Sequence, residues 1–270
     1  MMALSLAIIW GICVQAAAEW ETGSKVGFDS NVDRAIDGGS GDSCLSAYLS
    51  FIKEPSGESR TDWTLAASLE GGLYARFRDL DYLLLTVAPG INFISHRNWT
   101  IQVYPFIQLK GVKDSEQSSL TLGGKLSMRE QLTRDLYVGQ YYVYRDSDAE
   151  SDVYSFTENA LGAFLGVNWT RTFFSEIGYE YSYGDSFQTV STTSAAILTG
   201  PGRGKQRTFS TAFGSEIIKE KVDRHSIGIS AGIDWTKSLF SLASYAYTTM
   251  TGDAGTSVSQ AGFIGLGYRF

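Results

Sequence analysis

The sequence has few of the residues that support catalysis, metal binding or covalent cross-linking. Only two cysteines, two histidines and four prolines occur among its 270 residues. Cys13 lies in an apolar leader, so Cys44 remains as a single thiol that cannot form an internal disulfide bond. No CxxC or CxxCH motif is present, which removes the common zinc and haem attachment patterns. We therefore expect neither a cofactor nor a bound metal.

Long apolar runs and blocks of like charge are also absent beyond residue 18. The longest apolar stretch there, LLLTVAPGI from Leu83, is shorter than the ~20 residues of a spanning helix and contains Pro89. The chain is mildly acidic, with 22 Lys and Arg against 29 Asp and Glu, and the charges are interspersed. Nucleic acid is therefore not an expected partner.

The first eighteen residues carry no charged side chain. An apolar run is followed by Ala16-Ala17-Ala18, which fits a cleavage site made of small residues. Residues 1–18 are therefore predicted to be a secretory signal peptide, and residues 19–270 the mature chain. No Lys or Arg precedes the run, which leaves a retained N-terminal membrane anchor as the alternative.

After this leader, hydrophobic residues recur at every second position. In the stretch 225–235, isoleucines alternate with Ser and Gly, and the same period runs through 99–112 and 119–131. Successive side chains of a strand point to opposite faces, so each segment has one apolar face and one face of Gly, Ser, Gln and charge. Most segments reach the about 9–11 residues that a tilted transmembrane strand needs. Twelve strands are predicted, at 20–34, 44–53, 63–75, 82–94, 99–112, 119–131, 136–145, 156–169, 173–184, 225–235, 239–250 and 259–270.

The breaks between these segments alternate in length. Short breaks such as SHRN at 95–98 mostly follow even-numbered strands, whereas longer breaks such as DSDAESD follow odd-numbered strands. Short turns at one end and long loops at the other are typical of bacterial outer-membrane barrels. The longest break predicts a surface loop at about 185–224. Counts of ten or fourteen strands stay open, because residues 186–224 could contain another hairpin.

Aromatic residues are sorted between the two ends of the predicted sheet. Two aromatic girdles around an apolar band are typical of the two interfaces of a membrane. The alternative is a secreted β-sandwich with its apolar faces turned to a core, but it gives no reason to separate Trp from Tyr. At the short-turn end, the apolar face carries Trp20, Trp63, Trp99, Trp169 and Trp235. Toward the other end it carries Tyr142, Tyr144, Tyr179, Tyr181, Tyr183, Tyr245 and Tyr247.

The last predicted strand, AGFIGLGYRF, ends on Phe270, and Tyr268, Leu266 and Ile264 occupy the alternate positions before it. This strand resembles the C-terminal signature of Gram-negative outer-membrane β-barrel proteins. The resemblance implies an outer-membrane location, recognition of the strand by the barrel assembly machinery, and contact with outer-membrane lipids and lipopolysaccharide. Together with the alternation, it predicts an all-β, antiparallel up-and-down transmembrane barrel of about 12 strands. An even strand count places both termini on the periplasmic side.

With the apolar faces turned to lipid, the polar faces line the lumen. Basic residues are concentrated on predicted strands five to seven and acidic residues on strands eight to ten, so we expect opposed walls whose charges tune ion selectivity. Alternatively, these side chains pair and plug the barrel, since barrels of about 8 strands are filled and those of about 16–18 are open. The predicted pore-lining residues are Lys25, Glu70, Lys110, Lys125, Arg129, Arg145, Glu158, Glu176, Glu180 and Asp234.

The expected function is a porin-like channel for passive diffusion of small polar solutes or ions. The alternative is a non-conducting barrel that acts as an anchor, an adhesin or the membrane component of an export or electron-transfer complex. An enzyme is not expected. His96 lies in a predicted turn, and the side chains of His225 and Ser226 point to opposite faces of a strand, which is the wrong geometry for a proton relay.

Overall fold

A computed structural model describes residues 18–55, 59–96, 98–190 and 207–270. Residues 1–17 of the predicted signal peptide lie outside the described residues. Within these ranges, no helix is long and apolar enough to cross a membrane. The helices in the described ranges are three single 3-10 turns at Arg78–Leu80, Ser115–Gln117 and Asp152–Tyr154. The strands are β1 (Ala18–Asp29), β2 (Asp42–Lys53), β3 (Thr61–Tyr74), β4 (Tyr82–His96), β5 (Trp99–Val112), β6 (Ser119–Gln131), β7 (Leu136–Ala149), β8 (Phe156–Asn168), β9 (Phe173–Val190), β10 (Arg207–Ser210), β11 (Ser215–Asp234), β12 (Leu239–Gly252) and β13 (Gly255–Arg269).

Twelve of the strands in the described ranges form one closed antiparallel ring. Neighbours along the chain pair with each other, and β13 closes the ring on β1, with Gly265 opposite Lys25. The short strand β10 lies outside the ring, because β9 pairs directly with β11 and β10 pairs only with residues 215–218. The predicted all-β, antiparallel up-and-down barrel of twelve strands is confirmed. Closure leaves no unpaired sheet edge, as hydrocarbon requires.

The outer surface of the ring is apolar. Leu122 is 51% exposed, Ile229 53% and Ile264 70%. Their chain neighbours turn to the inner face, since side chains alternate along each strand. In a sandwich, the apolar faces of two sheets pack against each other, whereas here a single closed sheet turns its apolar face outward. The sandwich alternative is therefore wrong for this chain. The arrangement matches a barrel surrounded by lipid.

The two ends of the barrel carry different connections. β1 begins and β13 ends at the same end, where Glu21 lies opposite Arg269. This end, called the turn end below, also carries the tight connections 132–135, 169–172 and 235–238. The opposite end, called the loop end, carries the connections 30–41, 75–81, 113–118 and 150–155. One short connection, at 253–254, also lies at the loop end.

The region predicted as a loop at 185–224 is in large part strand. β9 continues to Val190 and β11 begins at Ser215, so the two strands form an extension past the loop end, and β10 pairs with it. Residues 191–206 of the predicted loop lie outside the described residues. Both faces of the extension are covered: Phe187 and Ile217 pack with Val153 and Tyr154 on one face, while Val190 and Ile218 pack with Ile36 on the other. Apolar residues on both faces remove the alternation on which the strand prediction depended.

Candidate functional site

The candidate site is the lumen. All ten predicted pore-lining residues occupy inner-face positions, alternating with the exposed apolar residues of the same strands. Near mid-height, Lys25 Nζ lies 3.0 Å from Glu70 Oε2, and the Tyr82 hydroxyl donates to Glu70 Oε1 at 2.6 Å. These residues come from β1, β3 and β4, so barrel closure and strand register bring them together.

A close group of ion pairs in the lumen surrounds Glu158. Arg145 Nη1 lies 2.7 Å from Glu158 Oε2, and Arg224 Nη1 lies 2.7 Å from Glu158 Oε1. The Ser182 hydroxyl donates to Glu158 Oε1 at 2.7 Å. We call these four residues the Glu158 cluster. One residue comes from each of β7, β8, β9 and β11, because Arg145 is in register with Glu158 and Arg224 with Ser182. Arg224 was not among the predicted pore-lining residues, because it fell within the predicted loop.

Tyrosines connect the remaining acidic residues to the basic ones. The Tyr137 hydroxyl donates to Glu176 at 2.9 Å, and the Arg129 guanidinium lies 3.8 Å from the centre of the Tyr137 ring. Four residues further along β7, Tyr141 makes the same kind of link. Its hydroxyl donates to Glu180 at 2.7 Å, and Lys125 Nζ lies 4.6 Å from its ring centre.

The expectation of opposed basic and acidic walls is therefore wrong. Strands β6 and β7 adjoin β8 and β9 in the ring, because an up-and-down barrel follows chain order. The charges face each other across neighbouring strands, with tyrosine rings between them. A cation–π contact and a charge-assisted hydrogen bond stabilise each link. The sequence analysis did not assign the tyrosines this role, although their alternation on β7 places them on the inner face.

At the turn end, a second ion-pair network lines the lumen. Arg269 Nη1 lies 2.9 Å from Asp234 Oδ1, and Arg269 Nε lies 3.5 Å from Glu21 Oε2. The Tyr48 hydroxyl donates to Glu21 at 2.8 Å. The side chain of Asp234 is 38% exposed and that of Arg269 33%, so both reach solvent.

Inward-facing aromatic rings lie along the wall. Phe164 covers Gly139, Phe106 covers Gly123 and Phe240 covers Gly267 on neighbouring strands, and a Cβ on any of these glycines would overlap the ring. Aromatic packing over a strand glycine is a known device for stabilising sheets. These rings therefore stabilise strand pairing at the wall.

Replacing Gly139 by valine is expected to lower the free energy of unfolding by about 1–3 kcal/mol, because the Phe164 ring must leave its place on the wall. Urea titration in lipid vesicles, followed by tryptophan fluorescence, measures the change. Gly111→Val is the matched control, since nothing lies within 4 Å of a Cβ at that position. Adding Phe164→Ala to Gly139→Val is expected to recover part of the loss. Equal effects at Gly139 and Gly111 would contradict the packing role.

Residues 30–41, here called the inward segment, correct the predicted end of the first strand. β1 stops at Asp29, five residues short of the predicted position 34, because the chain turns there. Asp29 Oδ1 accepts the Asn31 N–H at 2.9 Å, and Asn31 Oδ1 accepts the Ala35 N–H at 2.9 Å. Side-chain bonds of this kind replace the strand ladder.

The inward segment crosses the mouth of the barrel from β1 to β9. In the ring, β11, β12 and β13 separate these two strands. Ala35 forms a parallel bridge with Thr189, whose hydroxyl donates to the Asp33 carbonyl, and Arg34 Nη1 donates to Ser186 Oγ at 2.6 Å. The segment therefore narrows the lumen at the loop end.

Arg34 has an unusual backbone conformation. Its φ is 54°, the one positive φ at a non-glycine residue in the described ranges. For a residue with a Cβ this left-handed conformation costs about 1–2 kcal/mol, so the contacts of the inward segment must hold it. Burial, and then the neighbouring Arg224, lower the pKa of the Arg34 guanidinium to about 9. The guanidinium is therefore charged at neutral pH.

An aromatic bridge joins the extension to the far side of the mouth. The Phe213 ring, in the turn between β10 and β11, lies 6.0 Å from the Phe77 ring in the connection between β3 and β4. On its other side, Phe213 stacks on Phe187 at 5.7 Å. The aromatic bridge and the inward segment together cover much of the loop end, which the sequence did not predict.

The residues predicted to form the aromatic girdles, and the two residues His225 and Ser226, can be placed on the faces of the barrel. Trp20, Trp63, Trp169 and Trp235 are exposed at the turn end, with Trp99 half-buried beside them. Nearer the loop end, Tyr142, Tyr179 and Tyr245 are exposed and Tyr181 is half-buried. His225 Nδ1 lies 2.7 Å from the Tyr179 hydroxyl on this outer face, whereas Ser226 contacts Thr248 on the inner face. Among the described residues, no three His, Cys, Asp or Glu side chains form a metal-binding group.

Comparison with known proteins identifies the fold. No protein-family model matches the chain, and no curated protein matches it. Among solved structures, an outer membrane channel from Pseudomonas putida F1 gives a TM-score of 0.61 at 7% identity, covering 96% of this chain and 97% of that chain. The chain has the fold of Gram-negative outer-membrane β-barrels.

Two further solved structures share this barrel. The NanC porin gives a TM-score of 0.51 at 9% identity, covering 93% of this chain and 99% of that chain. The translocator domain of the autotransporter NalP from Neisseria meningitidis gives a TM-score of 0.51 at 11% identity, covering 99% and 92%. At such low identity the similarity concerns the fold alone.

Proposed function

We propose that the chain forms an outer-membrane channel for passive diffusion of small polar solutes or ions. The observation that carries the proposal is the inner wall, where charged side chains from many strands remain partly exposed inside a closed barrel. The side chains of Lys25 and Glu70 are 12% and 15% exposed at mid-height, and that of Arg224 is 23% exposed nearer the loop end. Ionised groups in a dry interior are costly, so an inner wall of this kind favours a water-containing lumen.

The packing of the aromatic residues supports the same proposal. Phe164 and Phe240 lie over glycines of neighbouring strands, so their rings pack against the wall. A channel and a porin are among the solved structures that share the fold. The proposal assigns no catalytic step to this chain.

The proposed orientation follows from the barrel family. The turn end, with both β1 and β13, would face the periplasm, and the loop end would face lipopolysaccharide. The Trp and Tyr girdles would lie at the two membrane interfaces. Ile264, Leu266, Tyr268 and Phe270 form an exposed apolar row on the outer face of β13 and its end, which is the surface that barrel assembly machinery would recognise.

A second candidate function is a non-conducting barrel that serves as an anchor, an adhesin or part of an envelope complex. The contacts that cover the loop end favour this non-conducting function. The inward segment and the contact between Phe213 and Phe77 both cross the mouth. A barrel closed at this end would hold its charges as a structural network.

Planar-bilayer recording of the purified, folded protein tests the proposal. Discrete conductance steps are expected, and Phe213→Ala is expected to increase the time spent open because it removes the bridge to Phe77. Phe209→Ala is the matched control in the same extension, since Phe209 is exposed. Absence of steps in both the unmodified protein and Phe213→Ala would overturn the channel proposal. Steps in Phe213→Ala alone would favour the second candidate, a barrel held closed by the bridge.

A further inference from the structure

Three neighbouring turns at the turn end share one sequence template. They join β6 to β7, β8 to β9 and β11 to β12, and these six strands are consecutive in the ring. The turns read LTRD at 132–135, WTRT at 169–172 and WTKS at 235–238. Each therefore has an apolar residue first, a threonine second and a basic residue third.

The threonine closes each turn and fixes the position of the basic residue. Thr170 Oγ1 accepts the N–H groups of Thr172 and Phe173 at 3.2 and 3.0 Å. Thr133 and Thr236 accept the corresponding pairs of N–H groups in the other two turns. Hydroxyl bonds to the backbone two and three residues ahead stabilise a tight turn. The basic residues at the tips, all exposed, are Arg134, Arg171 and Lys237.

Two of the turns also hold a tryptophan in the same way. Trp169 Nε1 donates to Ser175 Oγ at 2.8 Å, and Trp235 Nε1 donates to Ser241 Oγ at 3.1 Å. In both hairpins the serine lies six residues further along, on the second strand. The Trp169 side chain is 62% exposed and that of Trp235 60%. Because Trp is enriched at membrane–water interfaces, these rings place the adjacent tips at the level of lipid headgroups.

The three basic residues, here called the basic arc, form a row of positive charge. Neighbouring strands lie about 4.8 Å apart, so the tips of successive hairpins are separated by roughly 10 Å. The turns WTRT and WTKS contain no acidic residue, whereas Asp135 follows Arg134 in the first turn. Asp234, just before the third turn, points to the lumen and pairs with Arg269 at 2.9 Å.

We propose that the basic arc binds the phosphate groups of anionic phospholipids, with Trp169 and Trp235 setting the depth of the turns in the bilayer. In the orientation proposed above, the turn end meets the periplasmic leaflet, which consists of phospholipids. Guanidinium groups present paired N–H donors that match phosphate oxygens, and Lys237 contributes a compact charge. Arg171 and Lys237 are expected to contribute most, because Asp135 offsets the charge of Arg134. The proposal does not require that the lumen conducts.

Native mass spectrometry tests the lipid preference of the folded protein. Released from micelles that contain equal amounts of phosphatidylglycerol and phosphatidylcholine, the unmodified protein is expected to retain phosphatidylglycerol about tenfold more often. Each Lys or Arg close to an anionic membrane surface contributes about fivefold in affinity. The double variant Arg171→Gln and Lys237→Gln is therefore expected to lower the preference to about twofold or less. Arg171→Lys with Lys237→Arg should retain it, because both charges remain.

A second double variant provides the matched control. Lys113→Gln with Lys221→Gln removes two exposed cations nearer the loop end, so the net charge changes by the same amount. The preference for phosphatidylglycerol is expected to remain there. Equal retention of the two lipids by the unmodified protein, or a preference that survives in Arg171→Gln with Lys237→Gln, would overturn the proposal. A loss of the same size in the control would show a general charge effect and would also contradict it.

Two further measurements identify the source of the phosphate. Replacing chloride by inorganic phosphate at constant ionic strength is expected to leave the lipid preference unchanged, and displacement of phosphatidylglycerol would instead indicate a site for a soluble anion. Lipid A retained more strongly than phosphatidylglycerol, with the same loss in Arg171→Gln and Lys237→Gln, would place the arc against lipopolysaccharide. Either of those results would overturn the assignment to phospholipid. Failure of the channel proposal would leave this inference intact, because the basic arc lies outside the lumen.

Discussion

Replacing Glu158 by glutamine is expected to lower the free energy of unfolding by about 3 kcal/mol, one of the two largest effects of a single substitution in this chain. The expected effect is large because two guanidinium groups contact the same carboxylate. Arg145 and Arg224 both contact the Glu158 carboxylate at 2.7 Å, and the Glu158 side chain is 7% exposed. Removing that charge leaves two guanidiniums facing each other near Arg34. Urea titration in lipid vesicles measures the loss.

Glu180→Gln on the neighbouring strand is the matched control for this effect. Glu180 accepts a hydrogen bond from the Tyr141 hydroxyl at 2.7 Å, and a glutamine oxygen can accept the same bond. A loss of about 1 kcal/mol or less is expected there. The two substitutions change the same chemical group on adjacent strands. A similar small loss at Glu158 would mean that its carboxylate does not hold the two guanidiniums.

Replacing Ile229 by arginine is expected to lower the free energy of unfolding in a bilayer by about 2–4 kcal/mol, since a cation at the lipid-facing midplane of a barrel is costly. Ile229 is 53% exposed on the outer face of β11. It lies between Trp235 at the turn end and the level of Tyr181, which is in register with His225. Tryptophan fluorescence during urea unfolding in vesicles follows the change.

Ser230, the next residue in the chain, provides the control for the substitution at Ile229. Ser230 points to the lumen and lies in register with Glu176, so Ser230→Arg places the same cation beside water and a carboxylate. A much smaller loss is expected at this position. If arginine were tolerated at Ile229 and costly at Ser230, the apolar face of the sheet would not meet lipid, and both the fold's setting and the channel proposal would fail.

The strand pattern could be predicted from sequence wherever the two faces of the sheet meet different surroundings. Between 82 and 169, the predicted strands differ from the observed ones by a few residues at most, because one face of each strand is apolar and the other is polar. The predicted strand bounds were wrong at β9 and β11, because Phe187 and Ile218 belong to small cores on opposite faces of the extension. The prediction that the first strand continues through residues 30–34 was also wrong, because the side chains of Asp29 and Asn31 turn the chain inward.

The candidate site, too, could be predicted only in part from the sequence. Alternation placed Lys25, Glu158 and the other predicted lumen residues on the inner face, since the direction of a side chain along a strand is a local property. Pairing partners were not predictable in this way. Arg145 was predicted to belong to a basic wall facing an acidic one, yet it adjoins Glu158 on the next strand. Arg34 was not considered for the lumen, because nothing local shows that its segment crosses the mouth.

The sequence by itself determined that this chain forms a closed ring of antiparallel strands with an apolar outside and a charged inside. Each segment by itself shows whether apolar residues recur at every second position and whether it is long and apolar enough for a spanning helix. Only the tertiary structure decided which charges meet, how the aromatic rings lie on the wall, and that residues 30–41 and Phe213 cover the loop end. Those contacts depend on strand register and on barrel closure, which join residues far apart in the chain, and no local pattern encodes them.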